Sequence, residues 1–256
     1  MAGDTPSRSA FERPDAVRRP PKTAVVVAHA LGERIATLSP GDMLAPERDL
    51  IAEFQIGRGT LREALRLLEL LGVISVKAGP RGGPVVLRPD HRPLVDVLSL
   101  FLQATEAPYK QVIQARRAIE AELARLAATH ATDEDIAELR ASTETMAERV
   151  GDEAFFRAEN MRFHEICSNA ARNAVLAVFH STLKAISDGH AIGVTYSRRQ
   201  QSAVVAAHER IVEALEARDP EASFRAMDAH MGEFEDYIQR RYREVASRPV
   251  RWLLPS

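Results

Sequence analysis

The chain has 256 residues, 45% of them hydrophobic and 27% charged, a composition with enough apolar matter for one or two cores and without the charge excess of a disordered chain. A net charge of −2 argues against a generally polybasic or acidic surface, although the first ninety residues carry +2 and the remainder −4, so the front is the more basic part. The single cysteine, Cys167, rules out an intrachain disulfide and a cysteine-built zinc site, and makes a reducing compartment, the cytoplasm, the simplest home.

Residues 1–22 mix charges and prolines where a secretory signal would need a continuous apolar stretch, and read as a mobile tail. The longest apolar runs, residues 24–31 and 94–102, fall well short of the roughly 20 residues that span a bilayer, so no membrane partner is expected. Val27, Leu31, Ile35 and Leu38 recur at helical spacing over residues 24–38, and Ser39-Pro40-Gly41-Asp42 ends that helix. Pro46 opens a second, short helix with Leu50, Ile51 and Phe54 on one face, closed at Gln55-Ile56-Gly57. In residues 58–71, Leu61, Ala64, Leu65 and Leu68 share one face of a third helix while Arg58, Arg62 and Arg66 repeat every four residues on another. Val73-Ile74-Ser75-Val76 and Val85-Val86-Leu87, joined through a glycine-rich turn, read as a β-hairpin.

Three short helices followed by a hairpin form the element order of a winged helix-turn-helix. A recognition helix must bury one face and offer cationic donors to phosphates and base edges on the other, and the third helix has that distribution. Guanidinium suits the role, because its planar fork bonds bidentately to guanine at about 1–3 kcal/mol of discrimination per good pair. With 30 arginines against 4 lysines in the chain, arginine identity at any one position carries less weight than its placement.

Pro84, Pro89 and Pro93 punctuate the next stretch, so residues 89–106 are assigned to a linker and connecting helix. Beyond it helical periodicity recurs six times, in Val112/Ile119/Leu123/Leu126, Ile136/Leu139/Met146, Phe155/Phe156/Phe163/Ile166, Val175/Phe179/Leu183/Ile186, Val204/Val205/Ile211/Val212/Leu215 and Phe224/Met227/Phe234/Ile238. The fold is therefore expected to be mainly α, with a winged helix-turn-helix at residues 23–88, an all-helical bundle of about six helices at 107–245 and a tail at 246–256. Helix boundaries, each a stop or an N-terminal signal, stand at Thr132, Gly151-Asp152, Ala170 to Asn173, Gly189 to Gly193 and Asp219-Pro220.

In the bundle, Asn160 and His164 lie four residues apart on one helix face, while His208 and His230 fall on the inward faces of the fifth and sixth helices. Three imidazoles and an amide oxygen suit Zn²⁺ or Ni²⁺, but on spacing alone three unrelated core or surface histidines is the simpler reading. An enzyme on this domain finds little support. His164-Glu165 and His208-Glu209 begin like zinc-protease helices but lack a second histidine four residues on, and the glycine-rich segment 79–83 lies between strands. Cys167 reads as a small core residue, the other five histidines, His180 among them, have no partner that spacing supplies, and Arg198-Arg199-Gln200-Gln201 reads as a solvated helix start.

Two segments carry a family resemblance. Gly41-Asp42-Met43-Leu44-Ala45-Pro46-Glu47-Arg48-Asp49-Leu50 followed by Gly57-Arg58-Gly59-Thr60-Leu61-Arg62-Glu63-Ala64-Leu65-Arg66-Leu67-Leu68 resembles the DNA-binding domain of GntR-family bacterial transcription regulators over residues 23–88. The resemblance implies that Arg48, Arg58, Gly59, Thr60 and Arg62 contact a pseudo-palindromic double-stranded operator, and that the wing tip, with Arg81 and Gly82, reaches toward the minor groove. It departs from the family at Gly57, where a serine or threonine is usual, and at Gly59, which offers no side chain.

Arg116-x-x-x-Glu120, Asn160-x-x-x-His164, Ala207-His208-Glu209 and Ala229-His230 resemble the FCD effector domain of the FadR subfamily over residues 107–243. That resemblance implies a divalent metal, Zn²⁺ first and Ni²⁺ second, on Asn160, His164, His208 and His230, and a small carboxylate effector held by Arg116. A neutral Asn160 in place of an aspartate leaves the ion's charge less compensated, which lowers metal affinity and strengthens attraction for an anion. The expected protein is a homodimeric, ligand-responsive regulator, a repressor more than an activator; a metal-dependent enzyme and a metal sensor are the rival readings.

Overall fold

The computed structural model describes residues 22–79, 82–187 and 193–252, and the chain divides after Pro89 into two units. In the first, α1 (Thr23–Ile35), α2 (Glu47–Phe54) and α3 (Arg58–Leu70) precede β1 (Ile74–Lys77) and β2 (Gly83–Val86). Leu31, Leu50, Leu61 and Ile74 are fully buried together, each contributing about 1.5–3 kcal/mol by leaving water. The α2–α3 turn is made at Gln55, which takes the left-handed conformation (φ 52°, ψ 45°) and donates its N–H to Ile51.

The strands pair antiparallel, with Ile74 opposite Val86 and Lys77 opposite Gly83. Residues 41–44 run along the free edge of β2, where Leu44 N donates to Pro84 O at 2.9 Å and Val86 N to Asp42 O at 2.8 Å. The turn read at Ser39 to Asp42 is present, closed by Asp42 N donating to Ser39 O at 3.0 Å, and the chain leaves it as a short third edge of the wing. At Gly82 a Cβ would stand 2.1 Å from the Lys77 carbonyl oxygen, so only glycine fits the returning strand's entry.

The second unit is all-helical among its described residues: α4 (Arg92–Ala104), α5 (Tyr109–His130), α6 (Asp133–Glu148), α7 (Glu153–Ala170), α8 (Ala174–Ile186), α9 (Arg198–Glu216), α10 (Pro220–Arg241) and α11 (Arg243–Ser247). Four of the expected boundaries hold an N-cap. Thr132 forms a reciprocal capping box with Asp135, and Asp152, Asn173 and Asp219 each accept a backbone N–H of the first turn. The boundary read at Gly189 to Gly193 falls largely outside the described residues; α9 starts instead from a Ser197–Gln200 box.

Helix α5 runs through the middle of this unit, packed against α7, α8, α9 and α10. Across α5 and α10, Arg117 grips Asp228 with two hydrogen bonds of 2.6 and 2.7 Å. Gly232 leaves room for that guanidinium, since a Cβ there would lie 3.1 Å from it.

Two boundaries differ from those read in the sequence. Helix α4, the connecting helix expected within residues 89–106, belongs to the second unit, with Val95, Leu98 and Leu102 packed against Leu183 and Ile186 of α8. The segment assigned as a tail is also packed: Val250 is fully buried and donates its N–H to Ala107 O at 2.9 Å, while the Trp252 indole donates to Asp96 at 3.0 Å. No helix among the described residues is long and apolar enough to cross a membrane.

Candidate metal centre and nucleic-acid interface

Helix α3 buries Leu61, Ala64, Leu65 and Leu68 and leaves Arg58, Gly59, Arg62 and Arg66 exposed. Arg48 on α2 is 90% exposed and lies 3.1 Å from Asp49, and Arg62 stands 3.8 Å from Glu47 of α2. The two cations remain in water with only surface partners, free to exchange those contacts for others. Gly57 caps α3 without a side-chain hydrogen bond, so the first-turn N–H groups, which no helical carbonyl can satisfy, keep no side-chain acceptor. Thr60 lies in that first turn, half-buried; Gly82 lies in the loop that joins the two strands of the wing, and Arg81 lies outside the described residues.

In the second unit, His164 from α7, His208 from α9 and His230 from α10 converge, each buried, with one ligand nitrogen apiece inside a 4.8 Å circle. The Nε2 atoms of His164 and His230 stand 3.3 Å apart, the spacing of about 3.3 Å expected between two ligands on a tetrahedral ion with bonds of about 2.0–2.1 Å. His208 stacks on Phe163, with ring centroids 3.7 Å apart and planes 11° from parallel, and neither of its nitrogens has a hydrogen-bond partner. Buried polar atoms are normally satisfied, and an imidazole with two orphaned nitrogens beside two others is chemically suited to a cation.

Glu120, fully buried on α5, organises the cluster. Its Oε2 lies 2.5 Å from His164 Nδ1, and its Oε1 accepts from Arg116 Nε at 2.8 Å. A carboxylate on Nδ1 fixes the tautomer that leaves Nε2 with its lone pair toward the cluster. Burial alone would push the Glu120 carboxyl up; Arg116, then His164 and His180, hold it well below its ordinary value. Burial takes His208 far down, and burial together with His164 lowers His230 to about 3, so both imidazoles are neutral, the form that binds metal.

His180 on α8, read from sequence as partnerless, is buried with Nε2 3.6 Å from Glu120 Oε1 and is lowered by burial to about 4. The apolar face expected for α8 is the reason it was missed: Val175 and Phe179 are 64% and 44% exposed, and the buried positions are His180, Thr182, Leu183 and Ile186. Gln201, expected in a solvated helix start, is also buried, accepting from Gly151 N at 2.7 Å and donating to Tyr196 O at 3.1 Å. Cys167 is a buried core residue whose thiol burial pushes up to about 12.

Beside the histidines lies a cavity of about 160 Å³ whose wall includes Arg116, Asn160, His164 and His230. Asn160 and His164 share a face of α7, and Arg157, one turn earlier, joins them on the wall. Its position three residues before Asn160 was the available sequence signal. Arg116 is buried, donating from Nε to Glu120 and from Nη1 to Ser187 Oγ at 3.2 Å.

Comparison with known proteins separates the same two units. Residues 23–82 match the model of bacterial regulatory proteins of the gntR family, and residues 111–233 match the FCD domain. The chain is 30% identical over 199 residues to the HTH-type transcriptional repressor NanR of Salmonella newport (strain SL254), covering 75% of each protein, and is similarly related to the NanR of Salmonella typhimurium (75% and 74%). Among solved structures, Streptococcus agalactiae GntR superposes with a TM-score of 0.63 at 21% identity, over 83% of this chain and 99% of that one.

Proposed function

The chain belongs to the GntR family of bacterial regulatory proteins, a transcriptional regulator with a DNA-binding domain and an FCD effector domain, and from that premise we propose that it is a repressor whose helical unit binds a divalent cation and a small organic acid that releases it from its operator. The winged-helix unit reads DNA through Arg48, Arg58, Thr60 and Arg62, with Gly59 and Gly82 letting the backbone approach and Arg81 at the wing. It does so as a homodimer, since two recognition helices about 34–36 Å apart match successive major grooves.

The single observation that carries the effector reading is the convergence of three buried histidines, two of which, His164 and His230, line a cavity that also presents Arg116. His164, His208 and His230 would hold the cation, with Asn160 as a further oxygen donor. When bound, the ion supplies fixed positive charge and coordination positions for acceptor oxygens. Arg116 orients a carboxylate through its planar fork, Glu120 fixes the His164 tautomer, and the buried surroundings strengthen both attractions by excluding water. A ligand that draws Arg116 toward the cavity competes with Glu120 and Ser187 for the same guanidinium, and so couples occupancy to the packing of α5 on α8.

The test is operator binding by the zinc-loaded protein, on a duplex selected from a random library, while small carboxylates are titrated in. At least one acid should weaken binding tenfold or more, and Arg116→Gln, with its fold checked by helical circular dichroism, should remove the response. If no acid alters operator binding, the effector reading fails; if zinc alone does so, the ion is itself the signal.

A further inference from the structure

Resting on the reading of this cavity as a carboxylate site, we propose that the effector has two anionic ends, a compact dicarboxylate held at one end by Arg116 and at the other by Arg157. The wall carries three cations from three helices, Arg116 of α5, Arg157 of α7 and Lys184 of α8, against one acid, Glu233, which itself lies 3.6 Å from Arg210. Glu120 behind the wall is committed to Arg116 and His164. Each of the three cations has an acidic neighbour, Glu120, Glu153 and Glu165, so a cation on the histidines is what would make the cavity electropositive and two anionic ends would match it.

Arg157 is the informative member. Its Nη2 meets Glu153 at 3.1 Å, but its Nε is buried with no acceptor among the described residues. That Nε is occluded from the cavity, so Arg157 would meet a ligand through its Nη groups, in exchange for the Glu153 contact. Arg116 and Arg157 line the same cavity, with Tyr196 on its wall as well. Lys184 is less free, lying 3.6 Å from Glu165 and 3.5 Å from the Met161 carbonyl.

Size and lining narrow the ligand further. A cavity of about 160 Å³ is close to the roughly 150 Å³ of an engineered cavity that accepts benzene, so the guest has on the order of six to ten non-hydrogen atoms. Met161, Val194, Val204, Met231 and Phe234 make up much of the remaining wall. The spacer between the two acids is therefore a short, mostly apolar chain, with Asn160, Ser187, Tyr196, Gln200 and Tyr237 on the same wall able to take up an occasional hydroxyl.

The experiment is calorimetric titration of the full-length, zinc-loaded protein with α,ω-dicarboxylates of three to six carbons, each beside the monocarboxylate of the same length, on wild type, Arg157→Gln, Arg157→Lys and Arg116→Gln. In wild type the best dicarboxylate should bind about tenfold or more tightly than its monocarboxylate, the gain of one charge-assisted contact. Arg157→Gln should erase that advantage and leave the monocarboxylate affinity within twofold; Arg157→Lys, which keeps the charge but not the fork, should keep part of it. Arg116→Gln should weaken both ligands. Equal affinities in wild type, or an advantage that survives Arg157→Gln, would overturn the proposal while leaving the carboxylate site standing. Inorganic phosphate binding more tightly than every dicarboxylate would overturn it in favour of a single compact dianion. Binding of neither acid class would remove the underlying site reading as well.

Discussion

In the winged-helix unit the arginines on the DNA-reading helices remain in water, Arg48 90% and Arg62 59% exposed beside acids at 3.1 and 3.8 Å, whereas in the bundle Arg116 is buried against a carboxylate that is itself 2% exposed. The same side chain serves two ends. An exposed guanidinium contributes little to stability because water and salt screen its partners, and for that reason it can be handed to a phosphate or a base at small cost. A buried one must be matched in the folded protein, and is released only when a ligand offers an equivalent partner.

The sharpest way to break this contrast is to remove one partner from the buried network. Glu120→Ala leaves Arg116 buried and unmatched and should cost about 3–5 kcal/mol, read in urea from the fluorescence of the single Trp252, which is packed onto the bundle through Asp96. Glu216→Ala, which removes the half-exposed partner of Arg140, should cost no more than about 1 kcal/mol. Equal losses would mean that burial does not set the energetics of these pairs.

The second effect is on pH. His180 and His230 are lowered to about 4 and about 3 in the folded protein, against about 6.5 in an unfolded chain. Above pH 6.5 neither state binds the extra proton and stability is flat; below it the unfolded state takes up protons that the folded state refuses. In metal-free protein each histidine should therefore cost about 1.4 kcal/mol per pH unit as pH falls from 6.5 toward 4. Urea midpoints at pH 7.5, 6.5 and 5.5 in the presence of a chelator check the sign, and a midpoint that does not fall between 6.5 and 5.5 would show that these imidazoles are not buried neutral.

The third effect sharpens the other side. Arg62→Ala should weaken operator binding by about 1–3 kcal/mol while the melting temperature of the protein does not move, because that side chain makes only a 3.8 Å surface contact. A loss of stability comparable to the loss of binding would return Arg62 to an ordinary structural role.

The winged helix was legible because its elements are short and locally punctuated. Pro46, Gly57 and the alternation of Leu61, Leu65 and Leu68 with Arg58, Arg62 and Arg66 fix three helices without reference to distant residues, and burial follows that pattern. The strip at residues 41–44 was missed because its pairing is set by β2, some forty residues on. In the bundle, the boundaries around Thr132, Asp152, Asn173 and Asp219 were readable for the same local reason, and the structure makes each an N-cap. The site was only half so. Asn160 and His164 share a face by helix geometry, but whether His208 and His230 meet them depends on how α7, α9 and α10 pack, which no local pattern encodes.

His180 shows the limit most clearly. The apolar run Val175, Phe179, Leu183, Ile186 suggests one inward face for α8, yet the helix is turned so that a histidine is buried and Phe179 is left half in water. Helical periodicity finds the face that would be apolar, and a polar site overrides it wherever a buried charge such as Glu120 offers a partner.

The central claim, that the three buried histidines form a cation site beside Arg116, is tested most directly by elemental analysis of protein purified without a histidine tag, wild type beside a His208→Ala/His230→Ala double variant. The account predicts close to one Zn or Ni per chain in the wild type and its loss in the variant, with folding of the variant confirmed by its helical circular dichroism. Metal-free wild type that remains metal-free after incubation with Zn²⁺ and Ni²⁺ would contradict it.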